Sequence, residues 1–193
     1  MLTLVLGLAL FIGVHLVPTN SGFRDGLRQR FGETAYKIGF SVVSLIALVL
    51  IVYGYGRLQA MPSKNPVIWY PPLWTKHLLW VLMWPALVLL VAANIPSRIR
   101  DITGHPMLLA IKIWAVGHLL ANGTLGAMVL FGSFLAWAVY DLISVKRRGA
   151  RGPLGERRGT LKGDIAAIAI GTGIYAWLLL GGHGKLIGVT LLR

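Results

Sequence analysis

Long apolar runs alternate along this chain with short polar segments rich in glycine, proline and basic residues. Six runs read as membrane-crossing helices: Leu2–Val17, Tyr36–Tyr55, Trp74–Ala93, Pro106–Ala121, Thr124–Val145 and Asp164–Gly181. About 20 helical residues, rising about 1.5 Å each, cross a hydrocarbon core of about 30 Å. The first and fourth runs lie near the lower limit, so five spans stand as the alternative to six. Asn122-Gly123 predicts a tight turn that folds the fourth and fifth runs into an antiparallel hairpin. Pro85, inside the third run, predicts a kink. Pro106 suits the first helical position of the fourth run, with His105 just before it. The apolar tail Leu186–Leu192 is too short to cross and is expected at the interface. The pattern therefore predicts an all-α polytopic membrane bundle, a single domain over residues 1–193 with no soluble domain and no internal repeat.

Composition supports this class. Of 193 residues, 56% are apolar and only 13% charged, about half the charged share of a soluble domain. The absence of cysteine rules out disulfides, iron–sulfur clusters, thiolate-ligated haem and haem attached through Cys-x-x-Cys-His. The net charge of +13 falls between the apolar runs, where membrane lipid headgroups rather than nucleic acid are the expected partners. Thirteen of the 19 Lys and Arg residues lie in alternate loops: Arg24, Arg28, Arg30, Lys37, Arg98, Arg100, and seven between Lys146 and Lys162. Arg57, Lys64, Lys76, Lys185 and Arg193 lie on the other side, with Lys112 inside a run. The positive-inside rule then puts the basic loops in the cytoplasm and both termini outside. Met1–Val17 lacks a basic leader and a small-residue cleavage site, so it reads as a retained first helix. Trp69, Tyr70, Trp74 and Tyr140 stand at run edges, as aromatic belts do.

No carboxylate is central to a run, which argues against di-iron carboxylate and paired-carboxylate chemistry. Hydrolase, metalloprotease and phosphate-loop motifs are absent. Asp141 is expected to pair with Lys146 or Arg147. The chemistry rests on five histidines. His15 and His118 lie within apolar runs, where a full charge costs about 2.5 kcal/mol or more. Even neutral imidazole needs a partner there for its donor and its acceptor. Gly7, Phe11 and His15 share one helix face, and Trp114, His118 and Asn122 share another. A small residue and aromatic rings beside an imidazole suit a flat macrocycle, and neutral imidazole is an ordinary axial ligand of haem iron. Interhelical hydrogen bonding is the alternative reading of both histidines. His77 and His105 suit interfacial or capping roles. His183, in Gly181-Gly182-His183-Gly184, is the weakest candidate.

The stretch from Gly104 to Gly123, GHPMLLAIKIWAVGHLLANG, resembles the signature of the NnrU family, bacterial membrane proteins associated with denitrification. Val14-His15, Gly32–Tyr36 and Lys76–Trp80 extend the resemblance over most of the chain. The family shares a domain with the plant and cyanobacterial ζ-carotene isomerases. That resemblance implies haem b as cofactor, with His15 and His118 as the metal ligands; Trp114 and Asn122, on the His118 face of the helix, are then expected beside the cofactor. His77 and His105 match further family histidines and stand in reserve as ligands. The isomerase branch carries a cysteine three residues before the second ligand, where this chain has Ala115. The implied function is haem-dependent cis–trans isomerisation of an apolar polyene, or a redox- or nitric-oxide-responsive role in nitrogen-oxide metabolism, in the bacterial inner membrane. A haem-free transporter or assembly factor is the alternative, with Gly171-x-Gly173 and Gly181-Gly182 as helix breaks or close-packing sites. The charge-based topology sets His15 near the cytoplasmic end of its helix and His118 about 18 Å along one that starts there. By depth, His15 goes with His105 and His118 with His77.

Overall fold

The computed structural model describes residues 1–150, 152 and 154–191. It is all-helical, with no strand among the described residues. Five helical segments among them are long and apolar enough to cross a membrane, and a sixth, Pro106–Ala121, is shorter. The protein is a polytopic membrane protein. The chain forms two compact units, Met1–Pro66 and Val67–Arg193.

In the first unit, α1 (Leu2–Leu16) runs into a 3-10 turn over Val17–Thr19. Pro18 supplies no N–H to continue an α-helix. The Asn20 side chain then caps α2 (Ser21–Phe31) by accepting from the Phe23 N–H at 3.0 Å. This basic helix lies in a segment whose sequence reads as a loop, because it carries no continuous apolar face. Gly32, at φ +81°, closes it, a backbone conformation that glycine adopts without steric penalty. α3 (Glu33–Gln59) has 27 residues, about 40 Å of helix at 1.5 Å per residue. It begins three residues before and ends four after the run Tyr36–Tyr55. Helices α1 and α3 pack through two glycines. A Cβ on Gly7 would stand 2.8 Å from the Ile51 nitrogen, and one on Gly54 would stand 2.9 Å from the Leu4 Cα. Leu4, Leu8, Ala47, Ile51 and Leu58 are buried along this seam, whereas Leu45, Val49 and Val52 are exposed, as lipid-facing positions are. The face proposed for Gly7 beside a macrocycle is thus filled by α3 itself.

The second unit holds α4 (Leu73–Ala92), α5 (Arg98–Thr103), α6 (Pro106–Ala121), α7 (Leu125–Arg147), α8 (Leu161–Trp177) and α9 (His183–Ile187). Small residues again set the approaches. Gly117 of α6 lies against Leu79 and Met83 of α4, and Gly171 of α8 lies on the Val88 backbone. Gly173 faces open space. Pro85 lies within α4 and removes a donor from the carbonyl four residues before it. Next to that carbonyl, the Trp80 oxygen accepts from the Tyr175 hydroxyl at 3.0 Å. Trp84 Nε1 donates to Thr172 Oγ1, also at 3.0 Å. The hairpin expected at Asn122-Gly123 forms: α6 ends at Ala121, and Thr124 caps α7. The Gly123 carbonyl accepts from the Ile68 and Trp69 N–H groups. The last span differs from its expected bounds. α8 begins at Leu161, and the helix gives way to a π-type segment over Leu178–Gly182 broken at Gly181, φ +126°. Of the tail Leu186–Leu192, Leu186 and Ile187 belong to α9. Leu192 lies outside the described residues, as do Arg151 and Arg193 of the charge pattern.

Short helix α5 is a second element hidden in a basic loop, and it anchors a distant segment. Arg100, 9% exposed, donates from Nη2 to Asp101 Oδ1 at 2.8 Å and to the Arg157 carbonyl. Asp101 Oδ2 accepts from the Gly159 N–H at 2.7 Å, and Thr160 N donates to the Pro96 carbonyl at 3.0 Å. Side chains at Gly159 and Gly163 would run into Ser97 and Pro96. Asp141, expected to pair with Lys146 or Arg147, pairs with Arg148 at 3.8 Å.

The Arg100 guanidinium and the Gly159 N–H hold the Asp101 carboxyl below the usual carboxylate range. A carboxyl depressed on folding stabilises above its unfolded value, and that contribution is lost as pH falls through the folded value. The segment around Gly159 should therefore loosen in acid. Because the chain has no cysteine, a spin label on Arg158→Cys reports this directly. Its mobility should rise on acidification from pH 7 and should already be high at pH 7 when Asp101→Ala is added. A label equally immobile in both proteins would contradict the anchor.

Candidate functional site

The five histidines divide between the units. In the first unit, His15 is the penultimate residue of α1, half-buried. Its Nδ1 lies 2.8 Å from the Phe11 carbonyl. A carbonyl only accepts, so this Nδ1 carries the proton and Nε2 holds the lone pair. The ring stacks on Phe11 at 4.0 Å and meets Phe40 of α3 edge-on at 5.0 Å. His15 is therefore fixed in tautomer and orientation by its own helix and lies between two aromatic rings.

His118, in the last turn of α6, repeats the arrangement in the second unit. Its Nδ1 lies 2.8 Å from the Trp114 carbonyl, again making Nε2 the lone-pair nitrogen. The ring stacks on Phe131 of α7 at 4.5 Å. Trp114 stands 5.3 Å from it and is held edge-on by Phe131 and Phe134. Asn122 Nδ2 donates to the His118 carbonyl at 2.9 Å. Trp114 and Asn122 thus bracket His118 along the helix, one through its carbonyl and the other through its amide. Ala115 is fully buried, so it is a packing position.

His77 lies exposed near the start of α4, with Trp80 edge-on at 5.5 Å. His105 occupies the position before α6. Burial, assisted by nearby Lys146 and opposed by Asp141, holds its imidazole below the usual value, so it is neutral at pH 7. His183 opens α9, and its Nδ1 lies 2.8 Å from the Val189 carbonyl. The break at Gly181 precedes α9, and Gly182 sits so close to the Trp177 ring that a Cβ would overlap it. Among the described residues, no group of three or more His, Asp or Glu side chains could hold a bare metal ion. Each unit thus offers an oriented neutral imidazole, His15 in the first and His118 in the second.

A family model described as NnrU protein matches residues 3–191, nearly the whole chain. No curated protein and no solved structure matches it.

Proposed function

The chain belongs to the NnrU family, and from that premise we propose that it binds haem b in the bacterial inner membrane, with His15 and His118 as the axial ligands and the basic loops in the cytoplasm. One observation carries this reading: on two apolar helices, an imidazole is locked by an Nδ1–H bond to the carbonyl four residues earlier. That bond is the usual outer-shell partner of a metal-bound histidine, because it fixes the ring and raises the basicity of Nε2. The donor set fits haem: neutral nitrogen ligands, no thiol anywhere in the chain, and aromatic faces at both imidazoles.

When bound, haem supplies an iron that cycles between ferric and ferrous forms and, when ferrous, takes a neutral ligand such as nitric oxide or a carbon–carbon double bond. Held by His15 and His118, such an iron would suit redox response, and a response to nitric oxide tied to nitrogen-oxide metabolism would require one of the two imidazoles to leave. Isomerisation of an apolar polyene is the second reading. It is favoured by the lipid-facing character of the helices, since an apolar substrate reaches such a site from within the bilayer. Phe11, Phe40 and Phe131 would keep water from the imidazoles in either case.

The test is the absorption spectrum of the protein purified in detergent from haem-replete cells. A Soret band with sharp α and β bands after dithionite reduction is expected. A colourless preparation would instead support the haem-free transporter or assembly factor.

A further inference from the structure

The first unit contains a cavity of about 410 Å3 lined by Pro18, Arg24, Tyr36, Lys37, Phe40 and Ser41. Its walls are mostly apolar: the Pro18 and Phe40 rings, and the stems of Arg24 and Lys37, which can cover apolar surface while their charged heads reach water. Its polar groups are two cations and two hydroxyls. Phe40, which also touches the His15 ring at 5.0 Å, links the cavity to the candidate ligand. Tyr36 continues the same row of rings, 6.4 Å from Phe40.

We propose that this cavity seats the carboxylate arms of the haem, with Arg24 and Lys37 as the cations that receive them and Tyr36 and Ser41 as supporting hydroxyl donors. The inference rests on the haem reading above and adds to it the orientation of the cofactor. The carboxylates of a membrane-embedded porphyrin are costly to bury, so they belong at the end of the helices where cations gather. That end of α1 is where the chain turns through Val17–Thr19 into basic α2. The local charge favours an anion. Arg24 is bonded to Asp25 at 2.9 Å, Lys37 to Glu33 at 3.0 Å, and Arg28 to both carboxylates. Three cations thus face two carboxylates, with Arg30 beyond them. Arg24 uses Nε for Asp25, and a guanidinium has five donors in all. With Arg30 counted, four cations stand against two carboxylates, so two monovalent carboxylates can be added without separating the existing pairs.

Full-length apo-protein in zwitterionic nanodiscs, where no anionic lipid competes, is titrated with haem b and with haem b dimethyl ester, whose arms are uncharged. The Soret shift reports binding of each. The wild type should bind haem at least about tenfold more tightly than the ester, the effect expected when charge-assisted hydrogen bonds are lost. Arg24→Gln/Lys37→Gln should abolish that preference. Arg57→Gln/Lys64→Gln, with the same loss of charge at the far end of α3 and beyond it, should retain it. Equal binding of haem and ester by the wild type would overturn the seat while leaving the haem reading intact. So would a preference that persists in Arg24→Gln/Lys37→Gln. Failure of both porphyrins to shift the wild-type Soret band would overturn the haem reading and the seat together. The wild-type comparison needs no substitution, so misfolding of a variant does not remove the test.

Discussion

His15→Ala and His118→Ala should each abolish the six-coordinate low-spin spectrum, and haem content in the purified protein should fall steeply. Loss of an outer-shell partner alone typically weakens metal binding about 10–100-fold, so removal of a ligand should exceed that. The prediction rests on the Nδ1-to-carbonyl bond that each ring makes within its own apolar helix, and the chain contains no thiol to substitute. His77→Ala, His105→Ala and His183→Ala should keep low-spin bands. The series also decides the depth question raised by the charge pattern, which sets His15 with His105 and His118 with His77. Native bands in His15→Ala, with loss in His77→Ala or His105→Ala, would reassign the ligands.

The second large effect concerns packing. Gly54→Leu should disrupt the first unit, and Gly54→Ala should destabilise it by about 1–3 kcal/mol, the usual range for overpacking. A Cβ at Gly54 would stand 2.9 Å from the Leu4 Cα and closer still to the Leu4 nitrogen, which is backbone and cannot rotate aside. Gly56 is the internal control. It lies two residues further along α3, and a Cβ there meets nothing within 4 Å. Gly56→Ala should be neutral or stabilising by up to about 1 kcal/mol, the propensity difference between the two residues. Denaturant unfolding of the three variants in mild detergent checks both values. Equal stability of Gly54→Ala and Gly56→Ala would show that the α1–α3 seam does not depend on close approach.

The long apolar runs made the spanning helices legible in the sequence, and Asn122-Gly123 and Pro106 marked the α6–α7 hairpin and the start of α6. Helices α2 and α5 were not legible. They are short and basic, so hydropathy reads them as loops, and what fixes them is local capping by Asn20 and Ser97. The contact of Arg100 with the Arg157 carbonyl joins residues 57 positions apart, which no local pattern encodes. Gly7 and Gly54 look alike in sequence to Gly13 and Gly56, yet only the first pair lies against another helix. At the site, spacing showed that Phe11 shares a face with His15 and Trp114 with His118. The edge-on contact of Phe40 with His15, the stacking of Phe131 on His118 and the cavity beside Phe40 depend on neighbouring helices. The tertiary fold alone brings those together.

Near-infrared magnetic circular dichroism of the ferric wild-type protein, recorded with the haem-to-chain ratio, is the most direct test of the central claim. It distinguishes two imidazole ligands from imidazole paired with water or another donor. The account predicts one haem b per chain with a bis-imidazole signature that disappears in both His15→Ala and His118→Ala. A haem-free protein, or a haem with only one imidazole ligand, would contradict it.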